Sequence, residues 1–212
     1  MKLLCSTLTL FLLFLSANTF AQSAFQGKVV FNVEADGQKQ VMDYYAKDKK
    51  FRMEVPDQGG YILFDSQTMN MYIVMDEQKM YMESSLNSSS TGSAGSITKT
   101  GETKKILGYE CEKFLFDQNG SKGESWMTKD LGAFMFFSQS QQGLADWQKE
   151  ILNEGYFPLQ VTEYNSNGKV GSAYNVIEVT PQELSSDMFA VPSSYQKLDM
   201  SNMGNLKNLM GK

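Results

Sequence analysis

The sequence FQGKVVFNVEADGQKQVMDYYAKDKKFRMEV, residues 25–55, alternates apolar and polar side chains and decides the fold class. Val29 and Phe31 lie on one face of the first segment, with the period of two that is typical of a half-buried strand. Asp36-Gly37 follows, and this dipeptide favours a two-residue hairpin turn because both turn positions need a positive φ. The stretch therefore predicts an antiparallel meander.

The alternation continues to Met82 and predicts six strands in up-and-down order that share one apolar face. The expected cross-strand neighbours in the first three strands are Phe31–Met42, Val29–Tyr44, Ala46–Phe51, Tyr44–Met53 and Met42–Val55. In the next three they are Val55–Ile62, Met53–Phe64, Phe64–Met69, Ile62–Met71, Met75–Met80 and Ile73–Met82. A slip of one residue would turn a strand's apolar set outward, so the pattern specifies the register.

The second half of the chain predicts further strands and one helix. A tight turn at Asn119-Gly120 would place Lys113 opposite Trp126 and Cys111 opposite Thr128. Apolar residues at helical spacing predict a helix that ends at Gly155; they are Leu144, Trp147, Ile151 and Leu152. Two strands follow at 158–164 and 169–179, and a shift of the apolar phase near Ile177 indicates a bulge. Thr180-Pro-Gln-Glu183 predicts a short helical turn.

Composition divides the chain into three parts. Residues 1–21 combine a basic start, an apolar run and small residues before Ala21, which is typical of a secretory signal peptide. The alternative is a short membrane anchor. Residues 22–199 are expected to form one β-rich domain, within which the Ser-rich segment 84–103 is a flexible loop; division into two domains there is the alternative. Residues 200–212 are expected to be a flexible tail.

The residue types exclude several functions. The chain has no histidine, which removes Ser-His-Asp and Cys-His catalysis and every His-based metal site. No Gly-rich phosphate loop occurs, and no carboxylate pair is distinguished from the other acidic residues. The net charge is −5, and the sequence contains no basic patch that could bind phosphates. Nucleic acid is therefore not an expected partner. We expect no enzyme activity and no cofactor. After removal of the signal, Cys111 has no intrachain partner, so it is either a buried free thiol or pairs between chains.

The apolar face carries an unusual number of methionines, and this face is the candidate binding site. Flexible methionine side chains pack around variable apolar guests and also fill irregular cores, so two interpretations fit the sequence. One is a lipid-binding cavity, and the other is a core filled by the helix at Leu144–Leu152, the Phe134 cluster and Phe189. The candidate lining residues are Phe31, Met42, Tyr44, Met53, Phe64, Met71 and Met80. A third interpretation is Cu(I) binding by the thioethers of Met71, Met75 and Met80.

Two motifs in the second half carry a resemblance to a known family. Gly108-Tyr-Glu-Cys-Glu-Lys-Phe114 and Glu124-Ser-Trp-Met-Thr-Lys-Asp-Leu131 resemble the patterns G-Y-x-C-x-K-[YF] and E-x-W-x-T-x-D-L of the exported bacterial domain-of-unknown-function family 4412. Lys49-Lys-Phe-Arg-Met-Glu54 and Phe189-Ala-Val-Pro192 are similar to two further segments of that family. The motif residues of unknown role are Gly108, Tyr109, Cys111, Lys113, Trp126, Thr128 and Asp130.

The resemblance implies an architecture but no activity. It implies the half-barrel of periplasmic lipoprotein carriers, in which a curved open antiparallel sheet wraps over helices. The expected fold is therefore mostly β (α+β), a half-barrel meander with one main helix on its concave face. The leading functional hypothesis is an exported, non-catalytic module for an apolar ligand or lipidated partner in the cell envelope. An envelope interaction domain without a small ligand is the alternative.

Overall fold

The computed structural model describes residues 25–55, 59–86, 95–118, 121–134 and 146–198 of the chain. The strands are β1 (Gly27–Ala35), β2 (Gln38–Lys47), β3 (Lys50–Val55), β4 (Gly60–Asp65), β5 (Asn70–Met75), β6 (Met80–Ser85), β7 (Gly95–Ile106), β8 (Tyr109–Gln118), β9 (Ser121–Thr128), β10 (Phe157–Tyr164), β11 (Val170–Pro181) and β12 (Gln196–Lys197). The helix is α1 (Asp146–Glu154), and a short 3-10 helix covers Ser186–Phe189.

The twelve strands of the described residues belong to one sheet in the order β12-β6-β5-β4-β3-β2-β1-β11-β10-β9-β8-β7. Every neighbouring pair is antiparallel except β12 with β6, which is parallel. The sheet is curved and open, with β7 and β12 at its two ends. The expected class, a mostly β half-barrel with one main helix, is confirmed.

The first hairpins have the predicted register. Phe31 lies opposite Met42, and Tyr44 lies opposite both Val29 and Met53. At the far end of the meander, Met75 lies opposite Met80. In β11 the predicted bulge is present, because Val30 and Phe31 of β1 face Glu178 and Val176 and leave Ile177 as the extra residue.

The predicted register is wrong around β4. Phe64 lies opposite Phe51 and Met71, and Ile62 lies opposite Met53 and Ile73, a shift of two residues on either side of β4. The connection from Asp65 to Asn70 contains four residues, and the Asp65 carboxylate accepts hydrogen bonds from the amides of Gln67 and Thr68. A shift of two keeps every side chain on its face, so the shared apolar face survives the error.

Two further expectations, a long loop at 84–103 and a helical turn at Thr180, differ from the structure. The predicted loop 84–103 is shorter, because 84–85 belong to β6 and 95–103 belong to β7, a strand rich in lysine and threonine at the sheet edge. The helical turn predicted at Thr180 is wrong: β11 extends to Pro181, and the 3-10 helix is capped by the Ser185 hydroxyl. The segments predicted as signal peptide and tail, and Leu144, lie outside the described residues.

The helix lies where the two parts of the core meet. Leu152 belongs to the main core with Phe31, Tyr44 and Phe157, whereas Ile151 packs in a smaller cluster. That smaller cluster consists of Phe114, Met127, Ile151 and Tyr156 with Ile97 and Trp147 around it. Gly155 ends the helix with a φ of 76°, a conformation that glycine adopts without strain.

Candidate functional site

The centre of the inner face is a filled core. We call inner face the side of β1–β6 that carries Phe31, Tyr44 and the residues paired with them. The Phe134 ring covers it, with its centroid 6.2 Å from that of Phe31, 5.1 Å from Tyr44 and 4.9 Å from Phe157. The Tyr44 hydroxyl donates to the Ala133 carbonyl at 3.5 Å, and burial raises the pKa of this phenol well above its usual value.

The seven residues predicted to line a cavity share this face but differ in environment. Phe31, Tyr44, Met53 and Phe64 are buried, and Met42 and Met71 are partly buried against the same core. Met80 lies near the sheet edge and is partly exposed. The structure therefore brings six of them into one core, and their binding of a ligand stays a prediction.

A pocket of about 300 Å³ opens at one end of the inner face. Its floor is Ala46 and Phe51, which are paired across β2 and β3. The connection after β9 and the end of α1 form its walls. The full lining is Phe25, Ala46, Lys47, Lys49, Phe51, Ser66, Gln67, Leu131, Gly132, Ala133, Leu152, Asn153 and Gly155. None of the seven predicted residues is in this set.

The pocket combines an apolar interior with an exposed lysine at its rim. Phe51, Leu131 and Leu152 are buried core residues, so the pocket walls are held by the packing of the sheet and helix. The Lys47 side chain points to the opposite face of the sheet from Ala46, where its ammonium donates to the Leu184 carbonyl at 2.5 Å. Lys49 is exposed in the turn between β2 and β3. Such a site suits a molecule with an apolar body and an anionic end.

Sequence reasoning missed this pocket for a definable reason. Alternation predicts Ala46 and Phe51 on the inner face, but it gives no position for Ala133, which belongs to an irregular segment. The sequence did contain one signal for a pocket, which is the small residue Ala46 at a core position directly opposite the large residue Phe51.

The first family motif builds the β7–β8 hairpin. Leu107 and Gly108 both have positive φ, 50° and 89°, so Gly108 supplies the backbone freedom that the turn requires. Tyr109 is partly buried against the core. Cys111 is a free thiol that is 0% exposed, and desolvation by burial raises its pKa to about 11.

The second motif pairs with the first across β8 and β9. Lys113 lies opposite Trp126, as predicted, and its ammonium is 5.6 Å from the indole centroid and 3.2 Å from Glu124. Lys104 of β7 lies closer, 4.1 Å from the centroid, and donates to Gln160 at 2.7 Å. Two cations therefore lie near the Trp126 ring, and each of them has a polar partner.

The remaining motif residues shape the end of β9. The buried Thr128 hydroxyl accepts a hydrogen bond of 3.3 Å from the amide of Asp130, and the chain then turns so that Leu131 enters the core. These motif residues take part in a turn, a core position, a cross-strand pair and a strand end. Their geometry gives them a packing role, and a functional role beyond it stays a prediction.

A polar cluster that the sequence did not indicate joins β7 and β8 to Tyr156, the residue before β10. The Tyr156 hydroxyl donates to the Glu112 carboxylate, which also binds the Lys99 ammonium at 2.5 Å. The hydrogen bond from Lys99 and that from Tyr156 hold the pKa of Glu112 below its usual value. Lys129 lies 4.4 Å from the centroid of the Tyr156 ring and 3.1 Å from Glu154. The cluster is an ion-pair network that fastens the β7 edge.

The described residues contain no group of three or more histidine, cysteine, aspartate or glutamate side chains placed to hold a metal ion. Methionine sulfur is a different ligand type, and Met75 lies directly opposite Met80 on the inner face. Cu(I) binding by Met71, Met75 and Met80 therefore stays a prediction.

Fold and site together define an open, curved antiparallel sheet with a small apolar pocket beside its single described helix. The chain belongs to the domain-of-unknown-function family DUF4412, whose model matches residues 25–195. This confirms the resemblance drawn from the two motifs. No curated protein matches the chain.

Solved structures share this architecture at low sequence identity. PNGF-II in its P21 crystal form has a TM-score of 0.57 at 15% identity over 86% of this chain and 33% of its own, so the chain spans about a third of that protein. An uncharacterized conserved protein from Thermus thermophilus has a TM-score of 0.53 at 12% identity, over 84% of this chain and 91% of its own. These similarities show the fold alone.

A putative outer membrane lipoprotein-sorting protein domain from Vibrio parahaemolyticus also matches, at 12% identity over 77% of this chain and 87% of its own. Its TM-score is 0.33, which is too low to support an inference about this chain.

Proposed function

We propose that this protein is an exported, non-catalytic binding module for an apolar ligand or for the acyl chain of a lipidated partner in the cell envelope. The observation that carries the proposal is the pocket of about 300 Å³ beside Phe51 and Leu152. This volume is at the lower end of the range of roughly 300–1,000 Å³ that is typical of ligand pockets. An acyl chain gains about 0.8 kcal/mol for each methylene removed from water.

The rim indicates the chemistry of the ligand's polar end. Lys49 lines the pocket and is exposed. A carboxylate or phosphate attached to an acyl chain would meet the Lys49 ammonium. A neutral hydrocarbon would gain only the apolar contacts.

Export is part of the same proposal. The supporting observation is the signal-like pattern of residues 1–21. Among the helices of the described residues, none has the length and apolarity needed to cross a membrane.

The proposal is tested with cis-parinaric acid, a naturally fluorescent fatty acid, titrated into the full chain. Ala133→Phe places a ring in the pocket mouth and should weaken binding at least tenfold. Ala35→Phe is the matched control, because Ala35 is exposed at the far end of β1 and does not line this pocket. Lys49→Glu should weaken binding of the fatty acid but not of its methyl ester.

Failure of the unaltered protein to bind the probe would contradict the proposal, as would equal binding by Ala133→Phe. Circular dichroism of each variant separates a lost pocket from a lost fold. Native mass spectrometry of protein purified without detergent from its host's envelope then identifies a bound lipid by its excess mass.

The alternative function is an envelope interaction domain with no small ligand. One observation favours it: β7 is a sheet edge of twelve residues, Gly95–Ile106, and such an edge can accept an added strand. A bare polypeptide mass together with co-purification of a partner would support this alternative.

A further inference from the structure

A second pocket, of about 280 Å³, lies on the other side of the sheet. We call outer face the side of β3–β6 opposite to the inner face, and outer pocket this cavity. Leu63, Tyr72 and Tyr81 form its sheet side. Leu63 lies opposite Tyr72, and the centroids of the two tyrosine rings are 6.2 Å apart. Side chains alternate along a strand, and the sequence neighbours of these three lie on the inner face, so these three lie on the outer face.

The other wall of the outer pocket is the segment 189–191, at the end of the 3-10 helix. Val191 packs against the buried side chains of the outer face. The Arg52 guanidinium donates to the Met188 carbonyl at 3.2 Å and so ties the start of this segment to β3. The wall is therefore held in place by the protein's own contacts. Phe189-Ala-Val-Pro192 also carries part of the family resemblance, and the proposed function does not use it.

Two opposite charges line the outer pocket. Lys50 and Asp65 face each other across β3 and β4. Residues in this relation have Cβ atoms roughly 4.5–5.5 Å apart, so one small molecule can contact both side chains. The amides of Gln67 and Thr68 both donate to Oδ1 of Asp65. Lys50 is exposed and forms no ion pair with a carboxylate among the residues that the structure describes.

This lining favours a small molecule that carries a ring and both charges. The volume is just below the range of roughly 300–1,000 Å³ that is typical of ligand pockets, so the ligand is small. Aromatic rings pack well against tyrosine in offset or edge-to-face arrangements. Burial raises the pKa of Tyr72, so its phenol is neutral at physiological pH. Lys50 attracts a carboxylate and Asp65 attracts an ammonium, whereas a fatty acid could satisfy only the first of them.

We propose that the outer pocket binds a free α-amino acid with an aromatic side chain. The ring of the ligand lies against Tyr72 and Tyr81, its carboxylate meets Lys50, and its ammonium meets Asp65. No residue lines both this pocket and the one beside Phe51. The inference therefore goes beyond the proposed function and does not depend on it.

Isothermal titration calorimetry of the unaltered full chain with L-phenylalanine tests the inference. Two analogues each lack one charge: 2-phenylethylamine has no carboxylate, and 3-phenylpropionate has no ammonium. L-alanine keeps both charges and lacks the ring. Each of the three should bind at least tenfold more weakly than L-phenylalanine. Absence of L-phenylalanine binding would overturn the inference, and equal binding of 3-phenylpropionate would overturn it in favour of a site for anions.

A variant that fills the outer pocket locates the site. Ala190 lines the pocket and has an extended backbone, with a φ of −125°, which phenylalanine adopts without strain. Ala190→Phe should weaken L-phenylalanine binding at least tenfold. Ser193→Phe is the matched control, because Ser193 is exposed three residues further on and does not line the pocket. Unchanged binding by Ala190→Phe, with a native circular dichroism spectrum, would overturn the inference.

A second variant tests the role of the charge at an exposed position, where the fold is not at risk. Lys50→Met should weaken L-phenylalanine binding at least tenfold and leave 2-phenylethylamine binding unchanged, since that analogue has no carboxylate. Lys105→Met removes the same charge from an exposed position on β7 and should change neither. Equal affinity of Lys50→Met and the unaltered protein for L-phenylalanine would overturn the inference. Binding of cis-parinaric acid should be the same in all these variants, which distinguishes failure of this inference from failure of the proposed function.

Discussion

Ile73 and Met82 face each other across β5 and β6, and both remain partly exposed although they continue a row that is buried three strands away. The row runs Tyr44–Met53–Ile62–Ile73–Met82 through four successive strand pairs. Tyr44 at its start is 1% exposed. The inner face therefore changes from core to surface along a single line of side chains.

Two methionines of this row allow a test of the change in burial, because Met53 is buried and Met82 is partly exposed. Met53→Ala should cost about 2–5 kcal/mol of the free energy of unfolding, since it leaves a cavity in a buried position. Met82→Ala should cost about 1 kcal/mol or less, since the side chain is partly exposed. Urea unfolding of both variants measures the difference, and equal losses would contradict the gradient.

The sequence predicted this architecture well because period-two alternation depends on local residues. The faces of β1–β6 follow from the pattern, and the pairs Phe31–Met42 and Lys113–Trp126 follow from short turns. The shift at β4 could not be foreseen, because a two-residue and a four-residue turn both keep Phe64 on its face. The Asp65 side chain, which caps the longer turn, decided between them.

The candidate site was predicted less well, because it depends on residues distant in sequence. Alternation predicts which side chains share a face, but it does not predict what covers them. Phe134 fills the centre over Phe31 and Tyr44, which agrees with the filled-core interpretation, although its segment has no periodicity that would indicate where it docks. The pocket beside Ala133 is a consequence of that docking.

Tyr174 offers a test of an unpaired polar group in the core. Its ring packs 4.7 Å from the Phe31 centroid and 5.7 Å from that of Phe134. Its hydroxyl is buried and has no hydrogen-bond partner in the described part of the chain. A buried hydroxyl without a partner costs about 1–3 kcal/mol, so Tyr174→Phe should leave stability unchanged or raise it.

Tyr44→Phe is the control for this prediction, because the Tyr44 hydroxyl does have an acceptor in the Ala133 carbonyl. Thermal unfolding should rank Tyr174→Phe above Tyr44→Phe. The reverse order would indicate that the Tyr174 hydroxyl has a partner.

Cys111 should make stability fall at alkaline pH. Burial raises the pKa of the folded thiol to about 11, whereas an unfolded thiol ionises near ~8.5. Between these values the folded state holds a proton that the unfolded state releases, so the free energy of unfolding decreases as the pH rises. Cys111→Ala should lack this component, and the two proteins should converge as the pH is raised from 8 to 11.

The same burial predicts that the thiol is chemically inert in the folded protein. Iodoacetamide at pH 8 should alkylate Cys111 only after unfolding, and mass spectrometry should detect no disulfide between chains. Rapid alkylation without denaturant would show that the thiol is accessible, which would contradict its 0% exposure.

Glu112 should make the protein less stable as the pH falls into the acid range. Hydrogen bonds from Lys99 and Tyr156 lower the pKa of its carboxyl group in the folded state, below the value near ~4.3 expected in the unfolded chain. The stabilisation is therefore present above the unfolded pKa and is lost as the pH falls through the folded one. Glu112→Gln should be less stable than the natural protein at pH 7, and the difference should shrink as the pH falls below about 4.

Glu110→Gln is the matched control, two residues away on the same strand and exposed. Its stability should stay within about 0.5 kcal/mol of the natural protein across this range. Because Lys99 belongs to β7, loss of the Glu112 contacts should also speed hydrogen exchange along the β7–β8 pair. If exchange there matched that of Glu110→Gln, the ion pair would not fasten the edge strand, and the outermost hairpin would depend on its backbone hydrogen bonds alone.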